Sequence, residues 1–273
     1  MQSKRQKMKR PELHFYDFGS DVVAFSSTRL GGYSVGNYGE WNINRYCGDS
    51  TEAICRNRQA LCEMLGIEDD KLLMPHQVHL TEIARIDEEL LCLSAEERQQ
   101  KLEGIDAIMT NLRGVCIGVS TADCIPILMY DKKRHAACAI HAGWRGTVSR
   151  IAEKAVIRMG DTFGSIPSDI IAQIGPGISL DSFEVGDEVY EAFAKAGFDM
   201  STIGKRYAAS EPESEKWHID LPVCNRMQLI GSGISADNIR VAGICTFKQH
   251  ESYFSARRLG ISSGRIFTAI LLK

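Results

Sequence analysis

Apolar residues recur along this chain in two rhythms, and the rhythms sort it into strands and helices. Val22 to Ser27, Val115 to Val119, Ile125 to Tyr130, His135 to Ile140, Ile170 to Ile174, Ile239 to Cys245 and Arg265 to Leu272 are short runs rich in apolar and β-branched residues. Polar or glycine breaks part them, which predicts strands. Helical spacing holds Ile54, Leu61, Met64 and Leu65 on one face; Ser50 or Asp49 caps that helix and Gly66 stops it. A second helix is expected from Val148 to about Met159, with Ile151, Ala152, Ala155, Val156 and Met159 on one side. Asp187 to Lys195 and Leu221 to Ile230 predict two more. Ile86 to Glu103, dense in Leu, Glu, Gln and Arg, predicts a helical excursion. Arg29 to Asn44 is a glycine- and asparagine-rich loop. Adjacent strand pairs mixed with helices point to an α+β form of the α/β class, with mixed sheets instead of a clean βαβ repeat.

Composition narrows the class. With 273 residues the chain buries a core without staples, as one large α/β domain or two small ones. A formal net charge of -3 gives no field toward nucleic acid or anionic membrane, so neither partner is expected. Met1 to Arg10 is basic, but Pro11-Glu12-Leu13-His14 follows it instead of an apolar run. It therefore reads as a loose extension over residues 1–12 and not as a secretory signal. No stretch approaches the ~20 apolar residues of a membrane span. The nine cysteines are scattered through apolar runs, and Cys116, Cys138 and Cys245 read as core. A reducing cytoplasm is the expected compartment.

One hairpin concentrates the chemistry. Asp123 to Tyr130 and His135 to His141 flank a short polar connection. A two-residue turn at Lys132 and Lys133 sets Cys124 directly across from His141, with Cβ atoms ~5 Å apart. That pair suits either two legs of a metal grip or a thiolate–imidazole nucleophile. A third ligand must come from elsewhere; His76 and His79 lie together at a proline-marked strand entry, while His14, His218 and His250 sit in polar settings. Beyond His141, Gly143-Trp144-Arg145-Gly146 is either an anion-binding helix entry or a plain turn with a buried Trp. Gly175-Pro176-Gly177, after a strand, is either a tight turn or backbone lining a pocket.

Taken together, His76-Gln77-Val78-His79, Thr121 to Pro126, His141 to Thr147 and Ile174 to Ile178 resemble the YfiH-like family, also known as laccase-domain or multicopper polyphenol oxidase proteins and as purine nucleoside phosphorylases. The likeness runs through Ser27 to Gly32, Asn42, Asp49, Asn57, Arg58, Gly104 to Ile108, Phe183 to Val185, Cys245-Thr246, Phe254 to Arg258 and Gly264-Arg265. Leu80, Ser182 and Ala256 depart from the pattern, and the segment between His79 and Asp106 is longer than usual.

The resemblance implies a single layered α/β/β/α-type domain over residues 1–273, similar to a bacterial toxin deamidase. It implies that His79, Cys124 and His141 hold zinc, with copper the lesser alternative. It implies phosphorolysis of adenosine, inosine, guanosine and methylthioadenosine, together with adenosine deamination, in a monomer or small homo-oligomer. Cys124, Asp123 and His141 become the catalytic candidates, with Asp123 a general acid/base or an orienting group. Arg29, Gln77, Arg145 and Gly175 become the contacts to purine nucleoside and phosphate. Three competing readings stand beside it. One is a Cys124–His141 thiol amidohydrolase editing cell-wall peptide precursors, and another is a copper-dependent polyphenol oxidase. The last is a structural zinc module whose fourth ligand is Cys245 or His76.

Overall fold

A computed structural model describes residues 9–208 and 215–273. In chain order the strands are β1 (Leu13–Tyr16), β2 (Val22–Ser27), β3 (Leu72–Leu73), β4 (Ile83–Arg85), β5 (Ala107–Thr110), β6 (Cys116–Thr121) and β7 (Ile125–Asp131). They continue as β8 (Ala136–Ala142), β9 (Ile170–Ile174), β10 (Glu184–Val185), β11 (Gly204–Ala208), β12 (Glu215–Ile219), β13 (Ile239–Val241) and β14 (Ile266–Leu272). The helices are α1 (Thr51–Leu65), α2 (Glu88–Cys92), α3 (Ala95–Lys101), α4 (Trp144–Val148), α5 (Ile151–Phe163), α6 (Asp187–Lys195), α7 (Met200–Ile203), α8 (Leu221–Gly231) and α9 (Ala256–Leu259).

Two large mixed sheets lie face to face, ordered β1-β2-β14-β6-β3 and β13-β9-β7-β8-β5-β4, and a small third sheet runs β10-β12-β11. Side chains alternate along each strand, so each sheet has two apolar faces. Ala24, Ile117, Val119 and Ile270 of the first sheet meet Leu128, Tyr130, Ala137 and Ala139 of the second. The other face of the second sheet, with Met129, Cys138 and Ile140, packs under Ile151, Ala155 and Met159 of α5 and Leu221 and Leu229 of α8. The other face of the first sheet, with Phe25, Cys116 and Phe267, packs under Leu61 of α1 and the fully buried Trp41. The layers therefore run α/β/β/α, as the resemblance implied.

Several elements depart from the sequence expectation. The helix expected from Val148 starts at Ile151, because Arg150 takes a left-handed φ of 63° that parts it from the short α4. Its guanidinium lies 3.9 Å over the Phe198 ring and donates to the Ala196 carbonyl, which holds the break. The Ile239–Cys245 run is a strand only to Val241, since Gly243 turns at φ 68°. Cys245 keeps one isolated bridge to Gly177. The excursion after Ile86 is two short helices, the second opened by a Ser94–Glu97 capping box. Residues 1–8 of the expected loose extension lie outside the described residues. Lys9 to Glu12 are docked, not loose: Lys9 Nζ donates to the Gly32 carbonyl, Pro11 is buried, and Glu12 bonds Leu30 and Thr28 through its backbone.

Candidate metal centre

The site is built on the open end of the β7–β8 hairpin. The loop at its closed end is not the two-residue Lys132-Lys133 turn. It spans residues 132–135, with Asp131 Oδ1 accepting from the amides of Lys133 and Arg134 and His135 at a left-handed φ of 48°. This Asx-type cap lengthens the connection and slides the register by two residues, so Pro126 and not Cys124 lies opposite His141. A two-residue slide preserves side-chain parity. Cys124 therefore stays on the same face as His141 and reaches it diagonally.

His79 joins them from the loop after β3, and its backbone is held at φ 65°, a region costly for a non-glycine residue. Asp106, fully buried at the entry to β5, supplies the restraint. Its Oδ1 accepts from the His79 amide at 2.9 Å and its Oδ2 from the Leu80 amide at 2.7 Å. The same Oδ1 meets His141 Nδ1 at 2.7 Å, and the Asp106 carbonyl accepts the His141 amide at 2.8 Å. One carboxylate thus fixes two of the three candidate ligands and leaves Nε2 of His141 facing Cys124. The His79 and His141 rings stand nearly perpendicular, 79° apart, with centroids at 4.7 Å.

Ligand atoms of His79, Cys124 and His141 all lie within 4.8 Å of one another. Zinc binds such donors at ~2.0–2.3 Å, so small side-chain adjustments close this set around one cation. Gly143 makes room for it. A Cβ there would sit 2.9 Å from His79 Cδ2 and 3.2 Å from Cys124 Sγ. The chemistry of the donors agrees with the geometry. Burial alone would push the Cys124 thiol up, but the imidazoles of His141 and His79 outweigh it and pull it down to about 6. Burial would lower His141, yet Cys124 and Asp106 raise it to about 9. Burial likewise opposes ionisation of Asp106, and the bonds from His141, Leu80 and His79 bring its carboxyl below the usual range. A thiolate, two imidazoles and a carboxylate bonded behind one of them form a donor set suited to a divalent cation.

The cluster opens on a cavity of about 240 Å³ that is also lined by Tyr46, His76, Gln77 and Arg265. Neither His76 nor Cys245 joins the three donors, so no fourth protein ligand closes the set among the described residues. Gln77 lines the cavity with its amide spent on structure: Nε2 donates to the Ser120 carbonyl and Oε1 accepts the Ser120 amide, both at 2.8 Å. Asp123, at φ 83°, points away from the donors. Its two carboxylate oxygens accept from Thr246 Oγ1 and the Arg257 amide at 2.7 Å each. Arg29 donates to the Gly39 and His250 carbonyls, and Arg145 is exposed over the Trp144 ring. Gly175 lines a separate cavity of about 470 Å³. The guanidinium on the metal-cavity wall is Arg265, fixed by the carbonyls of Ser263, Gly264 and Ile261. Asp106 and Arg265 are the site residues that motif spacing did not single out. Their signals were a lone acid entering an apolar strand and an Arg leading into the last strand.

Fold and site together define a layered α/β protein with a His₂Cys cluster set against a cavity. The chain belongs to the family described as multi-copper polyphenol oxidoreductase laccase, which matches residues 23–273. It is 47% identical to a purine nucleoside phosphorylase of Bacteroides thetaiotaomicron, over 93% of this chain and 92% of that protein. It is 44% identical to adenosine deaminase RL5 of an unknown prokaryotic organism, over 96% and 99% of the two chains. The crystal structure of the Bacillus licheniformis hypothetical protein YfiH superposes with a TM-score of 0.84 at 25% identity, covering 92% of this chain and 93% of that one.

Proposed function

We propose that this chain is a cytoplasmic, zinc-dependent purine nucleoside phosphorylase, folded as one domain, that also deaminates adenosine. Its substrates on this reading are adenosine, inosine, guanosine and methylthioadenosine, with inorganic phosphate as co-substrate. The observation that carries the reading is the convergence of His79, Cys124 and His141, two of them pinned by Asp106, on the floor of a cavity. The names of the two relatives at 47% and 44% identity support the reaction class.

On this reading His79, Cys124 and His141 hold the cation. Bound there, zinc supplies Lewis acidity and offsets charge that develops during the reaction. Asp106 keeps His141 in one tautomer and His79 in its strained backbone. Arg265 presents positive charge to phosphate from the cavity wall, a role for which Arg29 and Arg145 are poorly placed, since neither lines that cavity. Gln77 braces the histidine loop against Ser120. Asp123 braces the Cys124 turn through Thr246 and Arg257.

Purified protein is assayed for metal content, and for ribose-1-phosphate, free base and ammonia from adenosine and inosine with phosphate. About one zinc per chain is expected, and Cys124→Ser should lose both metal and products. Zinc-loaded protein that makes none of these products sinks the reading. The low-lying Cys124 thiol beside His141 favours a second reading, a thiol amidohydrolase. It predicts amide cleavage that survives chelators and is abolished by alkylation. The family description favours copper-dependent phenol oxidation, which predicts visible absorption on copper loading and turnover of phenols.

A further inference from the structure

The metal cavity has a wall that the cation does not use. There the Tyr46 ring stacks on the His76 imidazole, with centroids 4.0 Å apart and planes at 21°. Nδ1 of His76 lies 2.5 Å from Glu103 Oε1. The His76 backbone is fixed on both sides, donating to the Leu102 carbonyl and accepting from the Gly104 amide at 2.9 Å each. Glu103 follows the end of the α2–α3 excursion between His79 and Asp106. The excursion therefore delivers a carboxylate to a cavity-lining imidazole.

With Nδ1 engaged, Nε2 is the nitrogen left for the cavity, and among the described residues it has no protein partner. The other proton-bearing side chains on the wall are less suited. Arg265 does not release a proton near neutrality. Burial raises the thiol of Cys47, which is held by Asn42 and Asn44.

We propose that His76, as a doubly protonated imidazolium, is the proton donor to the departing purine, with Glu103 the positioning residue that accepts from Nδ1 and aims Nε2 at the cavity, and Tyr46 the ring that fixes its plane. This assignment rests on the nucleoside reading above. In phosphorolysis an oxygen of hydrogen phosphate bonds to the anomeric carbon, and the bond from that carbon to the purine nitrogen breaks. The electron pair of that bond goes to the purine, which takes a proton from His76 Nε2. The proton carried in by hydrogen phosphate then restores the imidazolium, so the sum is ribose-1-phosphate and a protonated base.

The test compares inosine with 7-methylguanosine, whose purine is already cationic and departs without a donated proton. His76→Gln should slow phosphorolysis of inosine by about 10²-fold, the scale of general acid catalysis. It should leave 7-methylguanosine within about threefold, well short of that scale, and leave metal content intact. Glu103→Gln should shift inosine alone, in the same direction and by less. Equal slowing of both nucleosides, unchanged inosine turnover, or loss of metal from His76→Gln overturns this assignment while the nucleoside reading stands. Wild-type protein that cleaves neither nucleoside overturns both.

Discussion

Asp106 carries two jobs that are usually divided between residues, since it restrains a strained histidine backbone and orients the other imidazole. Asp106→Asn replaces one acceptor oxygen by a donor, and zinc affinity should fall about 10–100-fold, the cost typical of losing a group behind a ligand. Competition with a chromogenic chelator measures it. Gly143→Ala places a methyl against His79 and Cys124 and should weaken zinc by about 10–100-fold, the scale of disturbing the groups that orient a metal's ligands; far-ultraviolet circular dichroism should stay unchanged. In metal-free protein Cys124 and His141 exchange protons as they pair. Cys124 goes from 9.0 in the unfolded chain to about 6, so its contribution to stability grows as pH rises through that window and is lost as pH falls through about 6. His141 goes from 6.5 to about 9, so its contribution is complete below 6.5 and is lost as pH rises through about 9. The slopes oppose, and stability should be nearly flat in pH between them. A thiol-selective probe still separates the two: iodoacetamide should alkylate Cys124 with a midpoint near 6, and a midpoint near 9 would refute the pairing.

At the level of elements, the hairpin shows what sequence spacing reveals and what it conceals. Alternating apolar runs placed β7, β8 and β9 within a residue or two, because strands buried on both faces leave an unmistakable apolar signature. The register was concealed, because it depends on Asp131 folding back onto two amides, a side-chain choice that a pair of lysines does not betray. Parity survived the two-residue slide, which is why the Cys124 and His141 pairing stayed legible. The third donor was legible only through the motif around His79, since its left-handed backbone and its restraint by Asp106 are tertiary facts. Leu13–Tyr16 is four residues long and follows a basic, proline-marked stretch, while Gly204–Ala208 and Glu215–Ile219 carry too many polar residues to read as strands; pairing partners elsewhere in the chain decide all three. Asp131→Ala should cost about 1–3 kcal/mol in urea unfolding by leaving two amides without their acceptor. Asp131→Asn keeps that acceptor, so it should lose less than Asp131→Ala in the same unfolding measurement.

Across the whole molecule, the candidate ligand set hangs from the seam between the two large sheets. Ala139 lies two residues before His141 on the face of β8 that meets the first sheet, and it is fully buried. Ala139→Leu should wedge the sheets apart, cost about 1–3 kcal/mol and disturb His141 with it. Ala155 is equally buried, but on α5 beneath the opposite face. Ala155→Leu should cost a similar amount in thermal unfolding and leave zinc affinity within about twofold, because distant sites add independently. Comparable affinity losses in both variants would refute transmission through the seam. The same hairpin has a second end. The donors gather at the start of β7, whereas the exposed lysines of its loop lie roughly 20 Å of strand away. That loop is a natural socket for grafted cargo: a fluorophore, an affinity peptide or a tether to a solid support fixed at Lys132 should leave the reactive end untouched.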